Sequence, residues 1–288
     1  MTDIPFPDYN SPIALKELLE TKNMAMQKKF GQNFLVNPKA REQLANALDI
    51  TEGATVWEIG PGLGAMTIEI LKRGAHLTVF EIDRGFIALL KHIFAPYMES
   101  GRLKIVEGDV LKTWKTIAQD EGIPHRFFGN LPYNIAASLL ADMIENEVRF
   151  EKAVITVQKE VALRAMAQPN TQDFSSFSVL CQWAYTLKTV MDLAGGNFWP
   201  RPNVDSRAIL LTARDDFPRC KIPKHFLKLQ RALFLNRRKT IKNNLSVFLS
   251  NTDDALAALK SAEISPEARA ESLPIEKMLQ LSDILSYR

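Results

Sequence analysis

Asn130-Leu131-Pro132-Tyr133 carries the strongest chemical suggestion in this chain of 288 residues. It follows Arg126-Phe127-Phe128-Gly129, a run that reads as the end of a strand. The exocyclic amine of adenine is a poor nucleophile, because its lone pair is delocalised into the ring. The Asn130 side-chain carbonyl and the Leu131 backbone carbonyl are two acceptors for that amine. Placed out of the ring plane, they favour a pyramidal nitrogen with a localised lone pair, a case of preorganised polar groups favouring a transition state. Pro132 removes a donor and fixes its own dihedral, so the carbonyls hold their aim. Tyr133 offers a flat face on which an extruded base can stack. Taken alone, the same four residues also read as a strand-to-helix turn, since Asn and Pro are common there.

A second constellation lies upstream. Glu58-Ile59-Gly60-Pro61-Gly62-Leu63-Gly64 follows an apolar run and opens a helical pattern. Gly60 and Gly62 let the backbone turn sharply and let a ligand approach closely. Glu81 ends the next apolar run and can accept both ribose hydroxyls of an adenosine ligand. Asp109, followed by Val110, ends a third run and can accept an adenine amine. Successive strand ends of this kind place one adenosine along the carboxyl edge of a parallel sheet. Gly60, Gly62 and Ala65 also satisfy a dinucleotide-binding pattern, so a nicotinamide-dependent dehydrogenase is a rival. Against it, Glu58 stands where a carboxylate would oppose a pyrophosphate, while its charge suits a cationic sulfonium with an ammonium group. No acid/base His sits beside a later strand.

These residues need a scaffold, and the hydropathy pattern supplies one. Ser11-Pro12 and Asn37-Pro38 both read as helix starts, an N-cap followed by Pro. From Thr55 short apolar runs alternate with amphipathic segments: strands at 56–59, 77–80, 103–106, 127–128 and 153–157, helices at 65–73, 85–96 and 135–146. That alternation predicts an α/β fold, a parallel sheet covered on both faces. Trp183–Leu187 and Ala208–Thr212 are candidates for closing one sheet edge. Beyond about residue 215 helical patterns dominate, at 223–235, 238–249, 253–260, 265–270 and 274–286. The expected organisation is an arm over 1–30, a catalytic domain over 31–215 and a small helical domain over 216–288.

Composition narrows the class. Hydrophobic residues make up 46% and charged residues 24%, as in an ordinary globular protein. The N-terminus lacks the basic and apolar regions of a signal peptide. Two distant cysteines, Cys181 and Cys220, suit a reduced cytoplasmic protein and give no metal-ligand spacing, and the four His are scattered. No metal and no membrane span are expected. The net charge of +3 hides an asymmetry. Phe217–Thr252 holds no acid but nine bases, and removing those nine from the 36 Lys and Arg leaves 27 against 33 acids. A basic zone on a mildly acidic body points to a polyanion held at one face. Arg231, Arg237, Arg238, Lys239 and Lys242 are the candidate phosphate contacts, since no acid is near them in sequence to pair with them along a helix.

In order and spacing, the residues above resemble the ribosomal RNA small-subunit adenine N6,N6-dimethyltransferase family. The likeness extends to Lys29-Phe30-Gly31-Gln32-Asn33-Phe34-Leu35, to Val157-Gln158-Lys159-Glu160-Val161-Ala162 and to Phe198-Trp199-Pro200-Arg201-Pro202-Asn203-Val204-Asp205-Ser206. Phe234-Leu235-Asn236-Arg237-Arg238-Lys239-Thr240 with Asn243-Asn244-Leu245 carries it into the helical domain, so that it covers roughly residues 25 to 285. The resemblance implies a Rossmann-like class I methyltransferase fold, with a seven-stranded mixed sheet and an antiparallel last strand. It implies S-adenosylmethionine as methyl donor, with contacts at Asn33, Leu35, Gly60, Glu81, Asp109 and Asn130, to which the loop reading adds Glu58, Gly62, Gly64 and Val110. It implies dimethylation of two adjacent adenosines near the 3′ end of 16S small-subunit rRNA, with Tyr133 and Phe198 bracketing the target base. Ile135-Ala136-Ala137-Ser138 departs from the usual family wording, where Ser/Thr-Pro is common.

The expected mechanism is direct in-line methyl transfer, with positioning and lone-pair localisation as the enzyme's contribution and no covalent intermediate. A monomer meets every requirement of this reading. A 23S rRNA adenine methylase shares the tetrapeptide logic and is the enzyme alternative. A non-catalytic rRNA-binding assembly factor that keeps the fold is the alternative of another class.

Overall fold

The computed structural model describes residues 6–22, 24, 32–131 and 135–286. Pro132 and Tyr133, and the Lys29-Phe30-Gly31 part of the upstream signature, lie outside the described residues. The strands are β1 (Phe34–Leu35), β2 (Thr55–Ile59), β3 (His76–Glu81), β4 (Leu103–Glu107), β5 (Arg126–Asn130), β6 (Lys152–Gln158), β7 (Tyr185–Leu193), β8 (Phe198–Trp199) and β9 (Ser206–Ala213). The helices are α1 (Pro12–Thr21), α2 (Pro38–Ala47), α3 (Ala65–Leu71), α4 (Arg84–Ile93), α5 (Ala95–Glu99), α6 (Val110–Glu121), α7 (Ala136–Glu145), α8 (Lys159–Met166), α9 (Ser176–Ala184), α10 (Pro223–Phe234), α11 (Ile241–Leu249), α12 (Thr252–Ser261) and α13 (Ile275–Leu285).

Seven strands form one sheet in the order β4-β3-β2-β5-β6-β9-β7. Pairs from β4 through β6 are parallel, and β9 runs antiparallel to β6. The central strands are buried nearly throughout, as parallel strands covered on both faces must be. The turn signals read in the sequence work as expected: Asn37 Oδ1 accepts from the Lys39 and Ala40 amides and Ser11 Oγ from the Ala14 amide, each ahead of a first-turn Pro. Asp83 and Asp109 cap α4 and α6 in the same way, so the sheet's carboxyl edge gains two helix starts.

The chain forms two compact units. One comprises Met1–Leu139, Phe150–Ala162 and Lys188–Thr212, and its core joins Leu15 and Leu19 of α1 to α2, α3, α4 and one face of the sheet. The other comprises Leu140–Arg149, Leu163–Leu187 and Ala213–Arg288. In it the Trp183 ring lies 4.5 Å from Phe217 and 5.0 Å from Phe226, and its indole N–H donates to the Pro218 carbonyl.

Several elements differ from the sequence reading. Residues 265–270 form turns followed by a short 3-10 segment at Ala270–Ser272, because Pro266 and Pro274 leave too few residues for a stable α-helix. The expected helix 238–249 begins only at Ile241, where Thr240 Oγ1 caps the Asn243 amide. Residues 235–239 are a turn, pinned by Asn244, whose Nδ2 donates to the Leu233 and Asn236 carbonyls. Trp183 lies in α9, and the strand expected from it starts at Tyr185. The sequence reading also passed over α6, α8, α9 and the antiparallel β1–β8 pair, in which Phe34 opposes Trp199 and Leu35 opposes Phe198.

Candidate cofactor and base site

At the carboxyl edge of β2, β3, β4 and β5 lies a cavity of about 290 Å³. Of the ten residues expected to hold a cofactor, nine line it; the tenth, Gly64, does not. Gly64 instead starts α3 at φ +88°, and a Cβ there would meet the Phe94 ring at 2.5 Å. Gly62, at φ +56°, has the Phe34 ring 3.0 Å from where its Cβ would be. Both loop glycines are therefore required by backbone conformation and by the rings pressed against them.

Glu81 is buried at the end of β3. Its Oε1 accepts from the Ile82 and Asp83 amides at 2.8 and 2.9 Å, and its Oε2 from the Gly62 amide at 3.2 Å. Burial raises its pKa above the ordinary carboxylate value, and the three amides pull the other way. The carboxylate thus ties the glycine loop to β3 while one side of it faces the cavity. Asp109 also lines the cavity, and its Oδ1 accepts from the Leu111 amide at 3.0 Å. Apolar Phe80, Ile82 and Val110 lie among the lining near these two acids. An apolar slot between two acceptors suits a flat heterocycle with an attached ribose.

Glu58 is the most deeply buried of the acids that line the cavity. It is 1% exposed, its Oε2 accepts from Thr67 Oγ1 at 2.7 Å, and burial pushes its pKa up to about 8. Burial thus works against the negative charge assigned from sequence, and a cation at the site would work in its favour.

At the end of β5, Asn130 lines the same cavity, and its Nδ2 donates to the Asn33 carbonyl at 3.0 Å. That bond commits the amide nitrogen and leaves the side-chain oxygen as an acceptor. The Leu131 amide donates to the Thr156 carbonyl at 3.1 Å, which fixes the Asn130–Leu131 peptide, one unit ahead of the one that carries the second proposed acceptor. Leu131 itself is buried over Gly129, where a Cβ would come within 2.7 Å of its Cδ2. Phe198 does not line the cavity: it is buried in the core, and β8 holds it opposite Leu35.

Sequence reasoning missed Tyr9, Arg41 and Thr67. Tyr9 Oη donates to the Leu63 carbonyl, and Arg41 Nη1 donates to the Leu35 carbonyl. No spacing signal marks a single Tyr or Arg that reaches a loop from another element.

In the helical unit, the basic zone is less uniform than its sequence. Among the described residues none of the candidate phosphate contacts pairs with an acid one helical turn away, but acids from far along the chain reach three of them: Arg231 pairs with Glu145, Arg237 with Glu271 at 3.1 Å and Lys242 with Glu267 at 3.8 Å. Arg237 Nη2 also donates to the Gln172 carbonyl at 2.8 Å. Arg238 and Lys239 are exposed in the 235–239 turn and make no ion pair among the described residues. Among the described residues no group of three or more His, Cys, Asp or Glu could hold a metal, and no helix is long and apolar enough to cross a membrane.

Residues 23–286 match a family described as ribosomal RNA adenine dimethylase. A Treponema denticola protein named ribosomal RNA small subunit methyltransferase A is 47% identical over 284 residues, which are 98% of this chain and 97% of that protein. The crystal structure of a dimethyladenosine transferase from Plasmodium falciparum superposes with a TM-score of 0.71 at 22% identity, over 85% of this chain and 94% of that one. That of the 23S rRNA methyltransferase ErmE superposes with a TM-score of 0.66 at 24% identity, over 88% and 100%. At those identities the two structures speak for the fold alone.

Proposed function

The chain belongs to the ribosomal RNA adenine dimethylase family, and from that premise we propose that it dimethylates N6 of two adjacent adenosines near the 3′ end of 16S small-subunit rRNA, using S-adenosylmethionine, as a step of ribosome biogenesis. One observation carries the reading: Asn130 is held by Asn33 at the wall of a cavity that also gathers Glu81, Asp109 and the glycine loop. A base presented to Asn130 therefore meets the contents of that cavity.

When bound, S-adenosylmethionine supplies a methyl group already activated by its sulfonium. Glu81 would accept from the ribose hydroxyls and Asp109 from the adenine amine, with Val110 as an apolar wall. Glu58 would give up its proton to receive the cationic end of the ligand. Asn33, Leu35, Gly60 and Gly62 give the close walls. On the substrate side the Asn130 side-chain oxygen and the Leu131 carbonyl accept hydrogen bonds from the target amine and localise its lone pair. Pro132 stiffens that turn, and Tyr133 and Phe198 bracket the base. The proton of the product amine passes to water after transfer.

Arg238 and Lys239 are the leading phosphate contacts, because their charges are exposed and not already matched by acids. Arg231, Arg237 and Lys242 contribute to the same face while also pairing within the fold. On this reading residues 31–215 are the methyltransferase domain, 216–288 the RNA-binding domain, and the protein acts as a cytoplasmic monomer on the small ribosomal subunit.

The test uses small subunits that lack adenine dimethylation and methyl-labelled S-adenosylmethionine, followed by digestion of the RNA to nucleosides. Labelled N6,N6-dimethyladenosine, lost with Asn130→Ala, is the expected result. Label in large-subunit RNA alone, or salt-sensitive binding without label, would overturn it in favour of a 23S methylase or an assembly factor.

A further inference from the structure

The arm ahead of the catalytic domain makes contacts that apolar burial does not explain. Leu15 and Leu19 of α1 are buried in the core, as an amphipathic helix requires. Tyr9 is a different case. It is 7% exposed, and its hydroxyl donates to the Leu63 carbonyl at 3.0 Å, across 54 positions of sequence. Leu63 lies between Gly62 and Gly64, both in the left-handed region, and no side chain caps α3. A loop of that composition has little to hold it from within, so its buried carbonyl depends on a donor from elsewhere.

Three further contacts converge on the cavity walls. Arg41 of α2 is buried and donates from Nη1 to the carbonyls of Leu35 and Tyr9, at 2.9 and 3.4 Å, and from Nη2 to Asn10 Oδ1 at 2.6 Å. One guanidinium therefore ties the arm to β1, whose Leu35 lines the cavity. The Phe6 ring lies 5.4 Å from Phe94, the ring that fills the space beside Gly64. Met24 packs on Gly85 at the start of α4, where a Cβ would meet its Cε at 3.1 Å. These contacts act on backbone and walls, and none of the arm's described residues lines the cavity itself.

The geometry points to the segment Phe6–Thr21 as a brace that sets the cofactor loop, with Tyr9 as its positioning residue. The inference rests on the reading of this cavity as an S-adenosyl site. With the hydroxyl in place, the Leu63–Gly64 peptide is held, and with it the short loop whose Gly62 amide donates to Glu81. Without it, the loop samples other orientations, and ligand affinity falls by the fraction of time the competent one is lost.

The test compares the full chain with Tyr9→Phe and Asn10→Ala, measuring S-adenosylhomocysteine binding by calorimetry and KM for S-adenosylmethionine separately from kcat. Tyr9→Phe is expected to weaken binding and raise KM about five- to ten-fold, with kcat changed less than about two-fold, as befits one buried hydrogen bond. Asn10→Ala loosens the arm at Arg41 without touching the loop and is expected to weaken binding about two- to three-fold. Lys16→Ala, in an exposed pair with Glu20 on α1, is expected to bind as the wild type does. A role confined to stability would lower the melting temperature of Tyr9→Phe and leave KM alone. Where Tyr9→Phe fails to fold, Asn10→Ala decides. Wild-type affinity in the folded variants overturns the brace alone. A wild-type chain that binds no S-adenosyl ligand overturns the cofactor reading together with the brace.

Discussion

Asn130 donates its side-chain amide to the main-chain carbonyl of Asn33 over 3.0 Å, joining the end of β5 to the residue before β1. The bond orients a group whose two ends have opposite hydrogen-bonding character. With the nitrogen committed to Asn33, the oxygen serves the substrate amine. Asn130→Ala removes the acceptor and should lower the methyl-transfer rate by about 10²- to 10³-fold. Asn130→Asp keeps an acceptor but sets a carboxylate oxygen against the Asn33 carbonyl, and it should retain more activity than Ala while losing the fixed orientation. Single-turnover transfer to undermethylated small subunits measures both. Equal rates for wild type and Asn130→Ala would remove this residue from the chemistry.

Gly64 and Gly53 share a left-handed backbone but differ in surroundings. A Cβ at Gly53 (φ +79°) meets nothing within 4 Å, whereas one at Gly64 (φ +88°) runs into Phe94 at 2.5 Å. Gly53→Ala should cost about 1–2 kcal/mol from conformation alone. Gly64→Ala should cost at least about 1 kcal/mol more, from the displaced ring. Thermal or denaturant unfolding of the two variants separates the contributions. Equal losses would show that Phe94 moves aside freely.

Glu58 makes stability depend on pH in a stated direction. Its folded value, pushed by burial from 4.5 to about 8, lies above that of an unfolded glutamate. Its contribution is therefore complete below about pH 4.5 and is lost as pH rises through about 8. Between about pH 5 and about pH 8 the ligand-free wild type should lose stability that Glu58→Gln does not lose, with no further loss above that range. S-adenosylmethionine binding at about pH 7 should also release a proton, visible as a binding enthalpy that varies with the ionisation heat of the buffer. A buffer-independent enthalpy would argue against exchange at this carboxyl.

Within the basic zone the structure separates two kinds of arginine. Arg238 and Lys239 are exposed and have no acid partner among the described residues, so Arg238→Ala and Lys239→Ala should each reduce the salt slope of rRNA binding by about one, with the melting temperature nearly unchanged. Arg237 is held by Glu271 and by the Gln172 carbonyl, so Arg237→Ala should lower stability by about 1–2 kcal/mol as well. Binding titrations across a salt series, run beside melting curves, distinguish them. A slope that responds to Arg237 but not to Arg238 would reverse the assignment.

The cavity walls were legible because chemistry and topology coincide there. Glu58, Glu81, Asp109 and Asn130 each end an apolar run, and parallel pairing brings the ends of such runs to one edge. What escaped the sequence depends on partners remote along the chain. Nothing near Arg237 foretells Glu271, and a zone free of acids in sequence is partly neutralised in space. The β1–β8 pair is two residues on each side, too short for any periodicity to register. Ser265-Pro266 has the form of a helix start, yet Pro274 follows too soon for more than turns. The depth at which Glu58 is buried depends on the rest of the fold and is not written in its sequence neighbours.

The β1–β8 ladder has a consequence for how the affinities of two ligands depend on each other. Leu35 forms part of the cavity wall, and directly opposite it stands Phe198, proposed to face the target base. Val36 and Asn37 extend the joint through Asn197, at 2.9 Å in each bond. A ligand that stiffens one strand of so short a ladder stiffens the other, so occupancy on one side is felt on the other. Thermodynamic reciprocity then requires that whatever factor the first ligand adds to the affinity of the second is returned unchanged.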